Sequence, residues 1–114
     1  MPRFVILEHD HPHLHWDLML EAGGVLKTWR LAKPPVELGP ILAEPLGDHR
    51  IAYLDYEGPV SGGRGTVTRW DAGSYTLDPA SREDRLVMYL DCGHVHGRAV
   101  LEKTSTGTWT LSLV

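Results

Sequence analysis

Between His13 and Glu21 the chain alternates without a break. His13, His15, Asp17, Met19 and Glu21 form one set, and Leu14, Trp16, Leu18 and Leu20 form the other. A period of two belongs to a strand with two unlike faces, and nowhere does the sequence offer a convincing 3.6-residue period to compete with it. Residues 4–9 and 25–31 read as neighbouring strands, with the turn Ala22-Gly23-Gly24 making the second hairpin of a three-stranded meander. Lys33-Pro34-Pro35 stops that meander. The stretch from there to Asp48 holds Gly39, Pro40, Pro45 and Gly47 and reads mostly as loop.

Beyond it, residues 51–56 resume a strand and residues 58–65 form a glycine-rich connection. Residues 66–70 make another strand that ends in the turn Asp71-Ala72-Gly73, and residues 75–77 add a further short one. A polar stretch, residues 78–84, has room for one helical turn. Strands at 85–90, 98–103 and 108–113 follow, separated by Asp91-Cys92-Gly93 and by residues 104–107. Seven to nine short strands with glycine at the turns predict an all-β fold, a small closed or partly open antiparallel β-barrel with little helix.

With 114 residues and no linker or repeat, the chain is expected to form one domain, 1–114. Its single cysteine, Cys92, has no internal partner for a disulfide. Acidic Glu8 interrupts the apolar start too early for a signal peptide, and no apolar run reaches membrane-spanning length. A soluble, cytoplasmic protein with no membrane partner is the expectation. A formal charge of −4 argues against broad adhesion to nucleic acid, which rests on lysine and arginine meeting phosphates. A focused basic cleft needs no basic protein, and Lys27, Arg30, Lys33, Arg64 and Arg69 are available to line one.

Chemistry concentrates in residues 9–17, which carry four of the seven histidines and two carboxylates. On a strand, side chains two apart share a face at roughly 6 to 7 Å. His15 and Asp17 can therefore converge on one ion, and His9, across a turn containing Pro12, supplies a third ligand. Two imidazoles and a carboxylate suit Mn, Fe or Zn and leave coordination positions open. His11 and His13 read as solvated turn residues, and His94 and His96 as loop residues. The four tryptophans read as core aromatics.

The whole pattern resembles the 3′-phosphoesterase domain of bacterial DNA ligase D, including its small stand-alone versions. The resemblance rests on His9 followed by Leu14-His15-Trp16-Asp17-Leu18, then Gly24-Val25-Leu26-Lys27-Thr28-Trp29 and Lys33-Pro34. It continues through Asp48-His49, Tyr53, Tyr56-Glu57-Gly58, Gly65-Thr66-Val67 and Trp70-Asp71-Ala72-Gly73-Ser74-Tyr75, and it closes with residues 97–101 and Trp109-Thr110-Leu111. It implies a manganese-dependent enzyme (zinc or another divalent ion being the alternative) on a small β-barrel. Such an enzyme trims DNA 3′ ends, or a primer-template with a terminal ribonucleotide, before ligation, alongside a separate ligase or polymerase.

Carried over position by position, the resemblance makes His9, His15 and Asp17 the metal ligands and sets Lys33, His49 and Tyr53 around the scissile phosphate. Lys33 would act as a point charge, protonated His49 as a charge-assisted donor or acid, and Tyr53 as an orienting group. Two positions depart from the family's pattern. Met19 stands two residues after Asp17, where the family has arginine, and Ile41, Leu42 and Ala43 occupy a region that carries another. Both losses bear on phosphomonoester cleavage, and Arg30 is the substitute within reach. Two other functions fit the same residues. One is a non-haem-iron-type oxygenase whose His-x-Asp pair is completed by His94 or His96. The other is a non-catalytic relative that binds DNA ends or a protein.

Overall fold

Side-chain alternation in the first third of the chain builds three strands whose two faces are both covered. In the computed structural model, which describes residues 2–36, 39–91 and 93–114, these are β1 (Arg3–His9), β2 (His15–Ala22) and β3 (Val25–Leu31). The remaining strands are β4 (Gly39–Arg50), β5 (Gly58–Pro59), β6 (Thr66–Leu77), β7 (Arg85–Asp91), β8 (Gly97–Lys103) and β9 (Trp109–Leu113), with a 3₁₀ turn at Ile51–Leu54. All pairings are antiparallel in the order β1-β2-β3-β4-β9-β8-β7-β6. The pairing of β6 with β1 closes these eight into a barrel, and β5 adds to β6 outside it. The expected all-β barrel is therefore present and closed. No helix among the described residues is long and apolar enough to cross a membrane.

Phe4, Ile6, Leu18, Leu20, Leu31, Met88, Leu101 and Leu111 fill the interior with their neighbours, so the Leu18 and Leu20 set of the alternating strand faces inward as expected. Trp29 belongs to this core, and Trp16, Trp70 and Trp109 pack against it. Leu14 does not, because β2 begins only at His15 and leaves Leu14 55% exposed in the preceding turn. The other faces of β1, β2, β3 and β6, joined by Leu54 of the 3₁₀ turn, carry a second, outer cluster of Val5, Leu7, Met19, Leu26, Leu54 and Val67.

Three expectations fail for identifiable reasons. The supposed loop up to Asp48 contains the twelve-residue strand β4. Its first residues pair with β9 and its later ones with β3, so Pro40 and Pro45 each lie where one edge has no partner and a missing N–H costs no ladder bond. Residues 51–54 are 3₁₀ rather than strand. Pairing with β3 ends at Val25 opposite Arg50, and the chain tightens there and drops Leu54 onto the outer cluster.

The turn at Asp71-Ala72-Gly73 is absent too, since β6 runs straight through it with a bulge that offsets its pairing with β1 between Ile6 and Leu7. Asp71 instead accepts the backbone N–H groups of His94 and Val95 at 2.8 and 2.7 Å. Gly73 is there for contact: a Cβ on it would lie 1.9 Å from the Asp91 carbonyl. Residues 78–84 form hydrogen-bonded turns, with Ser81 N–H on the Asp78 carbonyl, and no helical turn. The expected turn at Asp91-Cys92-Gly93 centres on Cys92, which lies outside the described residues.

Candidate metal centre

Antiparallel register brings the three expected ligands together. His9 on β1 lies directly opposite His15 on β2, and Leu7 lies opposite Asp17, so His9, His15 and Asp17 share the outer face with the apolar Leu7. The ligand atoms of these residues all lie within 4.8 Å of one another. His15 Nε2 is 3.2 Å from the Asp17 carboxylate, and His9 Nδ1 is 3.6 Å from Asp17 Oδ2. His15 and Asp17 are buried, and His9 is half-buried at the mouth.

Backbone carbonyls set the rings. His15 Nδ1 donates to the His13 carbonyl at 2.8 Å and His9 Nε2 donates to the Arg64 carbonyl at 2.7 Å. A carbonyl only accepts, so each of these nitrogens carries a proton, and each ring turns its other nitrogen toward Asp17. Asp17 Oδ1 is moreover buried with no hydrogen-bond partner. His15 Nε2 also lies 3.2 Å from Asp17 Oδ2, and two imidazole nitrogens and a buried carboxylate turned on one another call for positive charge between them, a proton or a metal ion. This is the donor set of a divalent ion, and a backbone carbonyl on the second ring nitrogen is how histidine ligands are normally held. The residues present therefore fit a metal.

The ligands open into a cleft of about 270 Å³ lined by His9, Asp17, Met19, Arg30, His49, Tyr53 and Arg64, with His11 and Pro12 at one side. Arg30 is the cross-strand neighbour of Asp17 on β3, and its Nε is buried without a partner. His49, near the end of β4, donates Nδ1–H to the Gly47 carbonyl at 2.9 Å, which leaves Nε2 for other partners. Its ring packs edge-on against Tyr53 at 5.9 Å. Met19, opposite Thr28, joins the outer cluster and leaves that part of the cleft without charge.

Of the residues that the resemblance sets at the site, Lys33 is not brought in. It is exposed past the end of β3 and does not line the cleft. Lys27 pairs with Asp48 at 3.1 Å, and Arg69 donates to the Leu54 carbonyl. Arg64 lines the cleft, its guanidinium braced on Ser61 O at 2.7 Å and Ser61 Oγ at 3.2 Å. The backbone just after it is seated by close packing. Gly65 has φ +74° and a Cβ there would fall 2.2 Å from Asp10 Oδ1, the atom that accepts Thr66 N–H at 2.7 Å. Arg64 was among the cations that the sequence offered for a basic cleft, and the glycines around it were the sign that its loop is special.

His11, read as solvated, reaches the cleft wall, and His13 contributes through its carbonyl. His94 and His96 line a different cavity with Trp70, Val95 and Leu113, so the structure does not bring either to His15 and Asp17. The third ligand position that an oxygenase would draw from them is taken by His9.

The sequence profile of the DNA ligase D 3′-phosphoesterase domain matches residues 7–111. The multifunctional non-homologous end joining protein LigD of Pseudomonas aeruginosa is 36% identical over 115 residues, covering 96% of this chain and 13% of that protein. The multifunctional non-homologous end joining DNA repair protein LigD of Mycobacterium tuberculosis is 33% identical over 116 residues, 93% of this chain and 15% of its own. The corresponding protein of Mycolicibacterium smegmatis is 32% identical over 122 residues, 94% and 16%. The chain thus spans less than a fifth of the length of these relatives.

Proposed function

The chain belongs to the DNA ligase D 3′-phosphoesterase domain family, and from that premise we propose that its cleft hydrolyses phosphoesters at DNA 3′ ends, including ends that carry a ribonucleotide, during end repair. The observation that carries the reading is the pair of imidazole nitrogens turned by backbone carbonyls onto Asp17, whose Oδ1 is buried without a hydrogen-bond partner. His9 Nδ1, His15 Nε2 and Asp17 would hold a divalent ion, manganese by family resemblance. When bound, such an ion supplies Lewis-acid polarisation of a phosphoryl oxygen and an acidified water.

The chain's own residues do the remainder. Arg30 and Arg64 bring two guanidinium groups to the wall of the cleft, suited to non-bridging oxygens. Among the described residues neither is neutralised by a carboxylate in a salt bridge. His49, its ring fixed by Gly47, offers Nε2 to donate a proton toward the departing oxygen. Tyr53 holds that ring by edge packing and lines the cleft beside it. Met19 withholds one positive charge from the floor, which favours a singly charged diester over a doubly charged terminal phosphate.

Met19 also supports a second reading, a protein that binds 3′ ends and does not turn them over. One assay decides between the two. Primer-templates ending in a 3′-phosphate or a 3′-ribonucleotide are incubated with manganese and wild-type or His15→Ala protein. Turnover by the wild type alone, faster on the ribonucleotide end, supports hydrolysis. Binding of those ends without turnover by either protein leaves the second reading.

A further inference from the structure

Tyr53 is a shared wall. On it and Val60 a second cavity of about 260 Å³ adjoins the metal cleft, lined further by Arg50, Tyr56, Pro59 and Ser61. Three rings step from one cavity to the other. His49 meets Tyr53 at 5.9 Å, and Tyr53 meets Tyr56 at 5.8 Å with the planes nearly perpendicular. The last ring is 38% exposed, although its hydroxyl is tied to the Pro59 carbonyl. The Arg50 guanidinium lies 6.0 Å from the Tyr53 ring centroid, and among the described residues no carboxylate forms a salt bridge with it. Leu54 already anchors this segment to the outer cluster, so the fold itself does not require Tyr56 to stand partly in solvent.

An apolar cavity smaller than a drug-sized pocket, with a fixed aromatic ring and an unpaired cation at its wall, has the chemistry of a stacked base joined to a phosphate. We infer that this second cavity receives the nucleobase next to the processed 3′ end, stacked on Tyr56, with Arg50 on the phosphate that joins that nucleotide to the strand. This rests on the proposed DNA-end reading and extends it from the reacting group to the strand behind it. The side-chain hydroxyl of Ser61 is engaged by Arg64 Nη2, so the base is held by its face and recognition is tolerant of sequence.

The test measures binding rather than hydrolysis. A primer-template carrying 2-aminopurine at the nucleotide adjoining its 3′ end is titrated in EDTA with the full chain, and its fluorescence is expected to be quenched. Tyr56→Leu is expected to bind about tenfold more weakly and to lose the quench, whereas Tyr56→Phe keeps both. An abasic residue at that position is expected to cost the wild type the same tenfold and Tyr56→Leu nothing more. Equal affinity of the wild type for normal and abasic ends overturns the inference, as does an unchanged quench in Tyr56→Leu. Because no turnover is involved, quenching without manganese-dependent hydrolysis would sink only the hydrolytic reading. Hydrolysis without any penalty for the abasic end would sink only this one.

Discussion

The barrel interior and the outer cluster are built on the same strands yet differ in what encloses them. Inside, fifteen buried residues drawn from all eight barrel strands and one loop close on one another from every side. Outside, six buried residues are covered by one 3₁₀ turn, a two-residue strand and a glycine-rich loop. The interior stabilises by burial and carries no chemistry. The outer layer is thin enough to leave a cleft, and its polar extension holds His9, His15 and Asp17 against Leu7. A carboxylate inside the barrel would have no route to any ligand. On the outer face it is at once desolvated and reachable.

The largest effect should come from the interior. Leu101→Ala is expected to cost about 2–5 kcal/mol of unfolding free energy, while the folded fraction keeps its metal affinity. Denaturant melts paired with manganese titrations check this, and a loss of affinity in the folded variant would mean the two layers are not separable. Next is the ion itself. At a concentration 100 times its Kd, manganese is expected to stabilise the wild-type chain by about 2.7 kcal/mol. His15→Ala should abolish that shift and weaken the metal at least about 100-fold, since loss of an outer partner of a ligand alone costs 10–100-fold. Thermal melts with and without the ion measure both.

Local stability should also divide along the same line. Hydrogen exchange is expected to find the amides of β7, β8 and β9 open only by global unfolding, with residues 51–65 exchanging through a cheaper opening. Leu54→Ala should widen that gap and lower activity more than it lowers the melting temperature. Uniform protection across both regions would erase the distinction.

The smallest effect concerns a strap between the layers, Arg3 to Asp55 at 2.7 Å. The Arg3 guanidinium, through its hydrogen bond, holds the Asp55 carboxyl below its ordinary value. A depressed carboxylate contributes stability that is present above its unfolded pKa and lost as pH falls through the lower folded one. Asp55→Asn should therefore leave a slightly shallower acid limb in stability against pH, visible at low salt and faded at high salt. An unchanged acid limb would show the strap to be without thermodynamic weight.

The features legible in the order of residues are local ones. Two-residue alternation marks β2 and places His15 with Asp17, and the Gly23-Gly24 hairpin aligns β2 with β3. The misreadings at Pro40, Pro45 and Gly73 share one cause. A proline or glycine argues for a turn only if the chain at that point has ladder partners to lose or open space beside it, and neither is visible in a neighbouring residue. Lys33 and Arg64 show the same limit for charge, because which cation reaches a cleft depends on where residues 32–36 and 60–65 lie relative to β1.

The sequence by itself determined the strand character, the inward set of leucines, the candidate trio His9, His15 and Asp17, and the family, because each is written within a few residues or in their order. Only the tertiary structure decided that β6 closes on β1, that these three side chains sit on the outer face beneath the 3₁₀ turn, and that Arg30 and Arg64 rather than Lys33 flank them. Those outcomes depend on register between distant strands, and register is settled by the summed fit of two buried faces at once, which no local pattern contains.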